Sequence, residues 1–268
     1  MSTNLHRGLA PLSTAAWADL EDEVRRTFER SVAGRRVVDM PDARGAGFSS
    51  LSTGRQLAIG GDVEGVRARR REVLPVLELR APFTVRREEV DAVLRGAVDA
   101  DWQQAKEAAA RIARAEDRVL FYGSADAGLD GIVPASTNPP VVMPADIREF
   151  ADAVAQATSA LRLVGVDGPY VLFLPPAVYT QINETVDHGY PIRDHIQRIL
   201  RTEGRIVWAP ALDRPVLISD RGEDYELCLG QDLAIGYLRH DDETVDLYLE
   251  ETLTVRVATA EASVVIGD

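Results

Sequence analysis

The chain of 268 residues has one cysteine, three methionines and only 6% aromatic residues. A single cysteine excludes an intramolecular disulfide, and the apolar segment YELCLG around Cys228 predicts a buried thiol in a reducing compartment. No hydrophobic run reaches the ~18 residues that suggest a membrane-spanning helix. The first residues, MSTNLHRGLAPLST, lack the basic and apolar regions of a secretory signal. We therefore expect a cytoplasmic protein that does not enter a membrane.

The common sequence signatures of catalysis are also missing. No GxGxxG follows a strand pattern, and GxxxxGK[ST], GxSxG, HExxH and CxxC do not occur. The chain has four scattered histidines, His6, His188, His195 and His240. Gly189 and Pro191 fall between His188 and His195 and favour a loop there over one face of a helix. We predict no catalytic residue and no metal site, and we expect a protein that is not an enzyme.

The chain has fewer basic than acidic residues. The formal net charge is −13, which repels nucleic acid and anionic membrane surfaces. The chain has one basic cluster, formed by Arg67, Arg69, Arg70 and Arg71. No aromatic residues alternate with these arginines to stack on bases, so we interpret the cluster as a solvated or inter-subunit salt-bridging segment. We expect neither nucleic acid nor membrane as a partner.

Hydrophobic periodicity predicts the elements of the N-terminal half. Ser13 and Thr14 precede an amphipathic helix that ends near Gly34 and whose apolar residues recur every three or four positions: Trp17, Leu20, Val24, Phe28 and Val32. The Gly-, Ser- and Thr-rich stretch 41–65 predicts an extended hairpin or protruding arm. The alanine-rich stretch 101–118 predicts a helix with a small, smooth face that another element approaches closely.

The C-terminal half alternates helix and strand patterns and then becomes strand-rich. Four prolines in residues 134–144 indicate a boundary, after which helix patterns flank the strands YVLFLPP and RIVWAP. Five strand patterns follow from RPVLISD to EASVVI. Strands near both ends of the chain around an α/β middle predict an α+β fold whose terminal strands share one sheet.

Ordered blocks over nearly the whole chain resemble the encapsulin family, also known as linocin. These blocks are LHRGLAPLSTAAWADLEDE at 5–23, GRRVVDM at 34–40, LPVLELRAPFTV at 74–85, GVDGPYVL at 165–172, DHGYPI at 187–192, GQDLAIGY at 230–237 and LYLEETLTVRV at 247–257. The resemblance implies a phage-capsid-like (HK97-type) fold with a peripheral domain, an axial domain and an extended loop. The implied boundaries are 1–43 for the N-terminal arm and helix, 44–74 for the extended loop, 75–134 for the peripheral domain with a long helix, 135–222 for the axial domain and 223–268 for the C-terminal peripheral strands.

The resemblance also implies a function. Family members assemble into icosahedral shells of about 60 or more copies and enclose a cargo enzyme, which docks through a terminal targeting peptide. The sequence is most similar to actinobacterial members of the family. We therefore expect a dye-decolourising peroxidase as cargo in preference to a ferritin-like protein. Some members bind a flavin through a tryptophan, but Glu88 stands at the corresponding position, so we expect no cofactor.

Two sites follow from the family pattern. The cargo-peptide groove would fall on Val24, Phe28, Val32, Arg35, Asp39, Leu253 and Val255. The apolar members would take Leu or Ile of the peptide, and the charged members would offer hydrogen bonds or ion pairs. The alternative is that these residues only pack the helix on its own sheet. A pore at the five-fold vertex of the shell would fall on Asp187, His188, Gly189 and Tyr190, for which a plain surface turn is the alternative.

Two other functions remain open. A linocin-type bacteriocin or protease would kill cells or cleave protein, although the sequence shows no triad or metal site to support it. A phage major capsid protein would share the fold and package DNA, which the acidic balance disfavours.

Overall fold

A computed structural model describes residues 3–60, 64–201 and 203–267 and shows a mixed α and β architecture. Its helices are α1 (Thr14–Ser31), α2 (Arg87–Leu94), α3 (Gln103–Tyr122), α4 (Ile132–Ala135), α5 (Phe150–Leu163), α6 (Pro176–Glu184) and α7 (Ile192–Leu200). Its strands are β1 (Ser50–Ile59), β2 (Ala68–Pro75), β3 (Leu77–Arg86), β4 (Gly123–Ser124), β5 (Leu129–Asp130), β6 (Tyr170–Leu174), β7 (Val186–Asp187), β8 (Tyr190–Pro191), β9 (Arg205–Trp208), β10 (Val216–Ser219), β11 (Tyr225–Leu229), β12 (Ala234–His240), β13 (Thr244–Val257) and β14 (Ser263–Val265).

Helix α1 forms where the hydrophobic spacing predicts it. The Ser13 hydroxyl accepts a hydrogen bond from the backbone N–H of Ala16 and caps the first turn. Leu20, Val24 and Phe28 are buried along one side of the helix. The helix ends where Val32 takes an extended conformation, close to the predicted end.

Helix α3 is the long helix against which α1 packs. It begins two residues later than predicted, at Gln103, and it ends later because the buried face continues through Leu120 and Phe121. Gly123 ends the helix at a φ of 74°, and a Cβ there would lie 2.2 Å from the carbonyl oxygen of Leu129. Gly34, just beyond α1, comes so close to α3 that a Cβ would lie 2.1 Å from the Leu120 side chain. A side chain at position 34 would therefore force Leu120 to move, and glycine lets the turn after α1 lie directly against α3.

Two four-stranded sheets carry most of the β structure. In the first, β13 is central and antiparallel to β3 along one edge and to β12 and then β11 along the other. This sheet joins strands from the two halves of the chain, as the sequence predicts. The second has the order β14-β10-β6-β9, with β6 and β9 parallel. The two remaining long strands, β1 and β2, form a separate hairpin.

The buried side chains form two hydrophobic clusters. One cluster joins α1 and α3 to β3, β12 and the first half of β13. The larger cluster surrounds the second sheet and also takes in the last part of β13. Across the described ranges, no helix has the length and apolarity needed to cross a bilayer. The division of the chain into the five segments implied by the family resemblance remains a prediction.

The close approach of α1 and α3 gives a test of packing. Ala109 is fully buried in the α1–α3 cluster, so Ala109→Leu should overpack it and lower the free energy of unfolding by about 1–3 kcal/mol. The half-buried neighbour Ala110 offers the same chemical change, and Ala110→Leu should cost less than about 1 kcal/mol. Urea unfolding measures both values. Equal effects of the two substitutions would contradict this account of the helix contact.

Candidate functional site

A groove of about 430 Å³ runs beside α1 and the start of β12. Four of the residues predicted for the cargo-peptide site line it together: Val24, Phe28, Val32 and Arg35. The facing wall is Leu233, Ala234 and Ile235, and the charged residues around the groove are Glu21, Arg25, Glu29, Arg36 and Asp232. An apolar floor with a charged rim is the composition that binds a short amphipathic segment.

The other three predicted residues do not reach this groove. Asp39 pairs with β11 through its backbone, and its side chain accepts a hydrogen bond from the Glu223 N–H at 2.6 Å. Leu253 and Val255 are fully buried in the larger cluster. The physical reason is that β13 runs through both clusters, so its last residues face the other core.

The facing wall of the groove comes from residues that the sequence analysis did not single out. Asp232 to Ile235 belong to the block GQDLAIGY, which contributed to the family resemblance but had no site role assigned. Local pattern does not reveal which strand lies beside a helix, because that pairing joins positions about 200 residues apart. The match of this block to the family was the one signal in the sequence that could have identified these residues.

Arg35 is the electrostatic centre of the groove floor. Its Nη2 lies 2.5 Å from Glu116 Oε2, 3.0 Å from Asp232 Oδ1 and 3.3 Å from Glu251 Oε2. Its Nε also donates to Glu116, and the guanidinium lies 4.7 Å from the centre of the Phe28 ring. Only 17% of the Arg35 side chain is exposed. Arg35 therefore ties α1, α3, β13 and the groove wall together.

Burial and the neighbouring charges together shift the pKa values of this cluster. Burial alone would lower the pKa of Arg35, but Glu116, Asp232 and Glu251 outweigh it and the pKa is raised. Burial, reinforced by the neighbouring Glu116, raises the pKa of Glu251 well above its usual range. The Glu251 Oε1 is buried and has no hydrogen-bond partner within the described residues. Burial thus favours the neutral form of Glu251 more than it would at an exposed carboxyl.

Asp117 fixes the segment that carries Arg35. Its two carboxyl oxygens accept hydrogen bonds from the backbone N–H groups of Ala33 and Gly34 at 2.9 and 2.8 Å. Burial raises the pKa of Asp117 to about 7, even though these two hydrogen bonds act to lower it. The donors satisfied here belong to the turn directly after α1, so Asp117 sets the position at which the chain enters the groove floor.

The four residues predicted for the pore form a tight hairpin between α6 and α7. Asp187 in β7 pairs with Tyr190 in β8, and His188 and Gly189 form the turn with φ values of 46° and 87°. The His188 side chain is 94% exposed and its Nε2 lies 3.8 Å from Asp187 Oδ1. Tyr190 packs edge-to-face on His195 at 6.1 Å. The hairpin presents a compact polar tip.

The remaining predicted positions lie away from the groove. Glu88 is exposed in the first turn of α2. Cys228 is buried as predicted, its Sγ lies 2.9 Å from Glu226 Oε1, and burial raises the pKa of its thiol. Within 3–60, 64–201 and 203–267, no three His, Cys, Asp or Glu side chains converge as metal ligands do.

Solved structures of low sequence identity share this fold. A virus-like particle from Pyrococcus furiosus matches with a TM-score of 0.66 and 17% identity, covering 93% of this chain and 98% of that chain. The capsid of Myoviridae phage XM1 matches with a TM-score of 0.55 and 12% identity, covering 90% of this chain and 91% of that chain. The chain is therefore a protein of the phage-capsid (HK97-type) fold class, with the α+β composition that the sequence predicts.

Sequence relatives define the family within that class. The family model described as an encapsulating protein for peroxidase matches residues 1–254. The type 1 encapsulin shell protein of Rhodococcus erythropolis is 51% identical over 262 residues, covering 98% of each chain. That of Mycobacterium tuberculosis is 50% identical over 264 residues, covering 98% of this chain and 99% of its own. The chain belongs to the encapsulin (linocin) family of shell proteins.

The raised pKa of Asp117 predicts an unusual pH dependence of stability. The ordinary pKa is 3.8 and the folded value about 7, so between these values the folded chain holds a proton that the unfolded chain has lost. The free energy of unfolding should therefore fall as pH rises from about 5 to about 8, on the order of 2 kcal/mol from this group. Glu251 contributes with the same sign.

Asp117→Asn keeps the shape of the side chain and removes this titration. Urea unfolding of the wild type and the variant at equal protein concentration and at several pH values measures the difference between their slopes. The variant should lose stability overall, since one of the two N–H donors loses its partner, but its pH profile should be flatter. If the free energy of unfolding of the wild type and of the variant changed in parallel with pH, the raised pKa of Asp117 would be contradicted.

Proposed function

We propose that this chain is the self-assembling shell subunit of a cytoplasmic nanocompartment that encloses a cargo enzyme and does not itself catalyse. The observation that supports this most directly is the groove beside α1 in a chain of the encapsulin family. About 60 copies would close the smallest icosahedral shell. The same proposal divides the chain into the N-terminal arm and helix, the extended loop, the peripheral domain, the axial domain and the C-terminal strands at the predicted boundaries.

The groove is proposed to bind the targeting peptide of the cargo. Val24, Phe28 and Val32 would receive apolar side chains of the peptide, opposite the wall formed by Leu233 and Ile235. Arg35 would act mainly by holding the floor in place, because its guanidinium is already engaged by three carboxyl groups. The charged side chains that remain exposed on the rim would form hydrogen bonds or ion pairs with the polar part of the peptide. Asp39, Leu253 and Val255 would support the fold around this site without contacting the peptide.

A dye-decolourising peroxidase is the proposed cargo, ahead of a ferritin-like protein. The support is the description of the matching family as an encapsulating protein for peroxidase, together with the actinobacterial relatives. The hairpin of Asp187, His188, Gly189 and Tyr190 is proposed to ring an opening where copies meet at the five-fold vertex, through which small solutes would reach the cargo. No flavin is expected at Glu88.

Assembly is the first expectation to measure. Negative-stain electron microscopy with light scattering of the purified protein should show uniform hollow particles at several salt concentrations. A stable monomer or small oligomer under all conditions would contradict the proposal and favour the bacteriocin or protease, which killing and proteolysis assays would then examine. Particles that contain DNA would favour the phage capsid protein.

Cargo binding is tested with a substitution that leaves the core intact. Phe28 is nearly fully buried, so Phe28→Ala would combine loss of binding with a cavity. Ala234 lines the facing wall of the groove and is half-buried, and Ala234→Glu should place a charge in that apolar wall and lower cargo loading about tenfold or more. The matched control is Ala15→Glu, which makes the same chemical change at an exposed position of α1.

The readout is the ratio of haem absorbance to protein in particles purified after co-expression with a dye-decolourising peroxidase that keeps its terminal segments. Both variants should form particles, and the control should load like the wild type. Full loading of Ala234→Glu particles would argue against the groove as the cargo site.

A further inference from the structure

A second cavity, here called the recess, adjoins the groove beside the N-terminal half of α1. Its volume is about 880 Å³, about twice that of the groove. Trp17 and Ala18 line the recess and not the groove, whereas Glu21 and Ala234 line both. The two cavities therefore meet between α1 and the start of β12.

The recess and the groove share one stripe of α1. Residues three or four apart on a helix lie on the same side of it. At this spacing the residues of the recess lead into those of the groove: Thr14, Trp17, Ala18, Glu21, Val24, Arg25, Phe28 and Val32. A rise of ~1.5 Å per residue makes this stripe about 27 Å long, and the recess takes about 10 Å of it. The groove is thus one part of a longer binding surface along α1.

The residues before α1 form one wall of the recess and balance its charge. Leu5 is buried there. Arg7 Nη1 lies 2.5 Å from Glu21 Oε1, and the Arg7 guanidinium lies 4.2 Å from the centre of the Trp17 ring. Among the described residues, the lining of the recess contains no acidic side chain besides Glu21. The recess therefore suits an uncharged side chain, in contrast to the charged rim of the groove.

We propose that the recess is a second anchor site for the cargo segment that binds the groove, and that it receives an apolar side chain of that segment beside Trp17 and Ala18. The inference rests on the proposed function and extends its site to residues outside the groove. An extended segment advances ~3.3 Å per residue, so about five residues would lie along the groove and about three more in the recess.

Arg7 is placed to hold the backbone of the segment where it passes from one cavity to the other. The ion pair with Glu21 engages Nη1, and 33% of the Arg7 side chain is exposed. A guanidinium has five N–H donors, so the remaining ones can bind a backbone carbonyl of the segment. A continuous peptide would fill both cavities, whereas a small apolar solute would fill only one. This continuity identifies the cargo segment as the occupant.

Two exposed alanines of α1 provide a matched test. Ala18→Glu places a charge in the recess, and Ala15→Glu makes the same change at a position that lines neither cavity. The probe is a fluorescent protein that carries the terminal segment of a dye-decolourising peroxidase and is co-expressed with each shell variant. The ratio of fluorescence to shell protein in purified particles should fall about tenfold with Ala18→Glu and stay at the wild-type value with Ala15→Glu.

Trimming the probe separates the recess from the groove. Single residues are removed in turn from either end of the segment. Loss of the residues that enter the recess should lower capture by the wild type about tenfold and leave capture by Ala18→Glu unchanged, because the trimming and the substitution remove the same contact. Additive losses would overturn the proposal, and so would capture of the full segment by Ala18→Glu at the wild-type level.

These outcomes also separate the recess from the function on which it rests. A wild-type shell that captures no probe contradicts the groove as the cargo site, and the recess with it. Equal capture by the wild type and Ala18→Glu leaves the groove as proposed and contradicts only the recess. A lower fraction of Ala18→Glu than of Ala15→Glu subunits in particles would show that another subunit covers the recess, which would likewise overturn the proposal.

Discussion

The groove depends on one buried cation and the carboxyl groups around it. Arg35 lies just after α1 and contacts side chains from α3, β13 and the loop before β12. Removing such a cation would leave buried carboxyl groups without a partner, which costs far more than the loss of an exposed ion pair. Carboxyl groups outnumber the guanidinium, and both burial and the neighbouring Glu116 raise the pKa of Glu251. Arg35 is therefore the residue on which the arrangement of the groove floor depends.

The sequence predicts side chains whose burial follows from local periodicity. It does not predict those whose burial depends on contacts with distant parts of the chain. Helix α1 and its buried residues follow from spacing and a cap. The groove beside α1 is lined by Val24, Phe28, Val32 and Arg35, four of the residues that the family resemblance implied for a peptide site. The family resemblance also implied Leu253 and Val255 beside them, but β13 passes through both clusters and its last residues face the other core. Glu116, within an alanine-rich helix, has the pattern of a solvated residue, and only the fold shows that it is fully buried opposite Arg35.

The β1–β2 hairpin shows what pairing register adds to composition. The stretch has too few apolar side chains to form a core, and its composition alone indicates an exposed arm. The register places Leu57 and Ile59 on one face of the outer hairpin and Gln56 and Ala58 on the other. Leu51 at the base of the hairpin is buried, whereas Leu57 and Ile59 further out are exposed.

The central place of β13 has a consequence for how the chain is made. Its partner β3 is complete once residue 86 has been synthesised, yet the pairing that joins them must wait for residues 244–253. The groove wall at Asp232 and the buried Glu251 are also among the last quarter of the chain to leave the ribosome. A nascent chain therefore has α1 long before it has the surface that α1 completes. The complete groove therefore exists only in a finished subunit, and any segment that binds it meets a chain whose synthesis has ended.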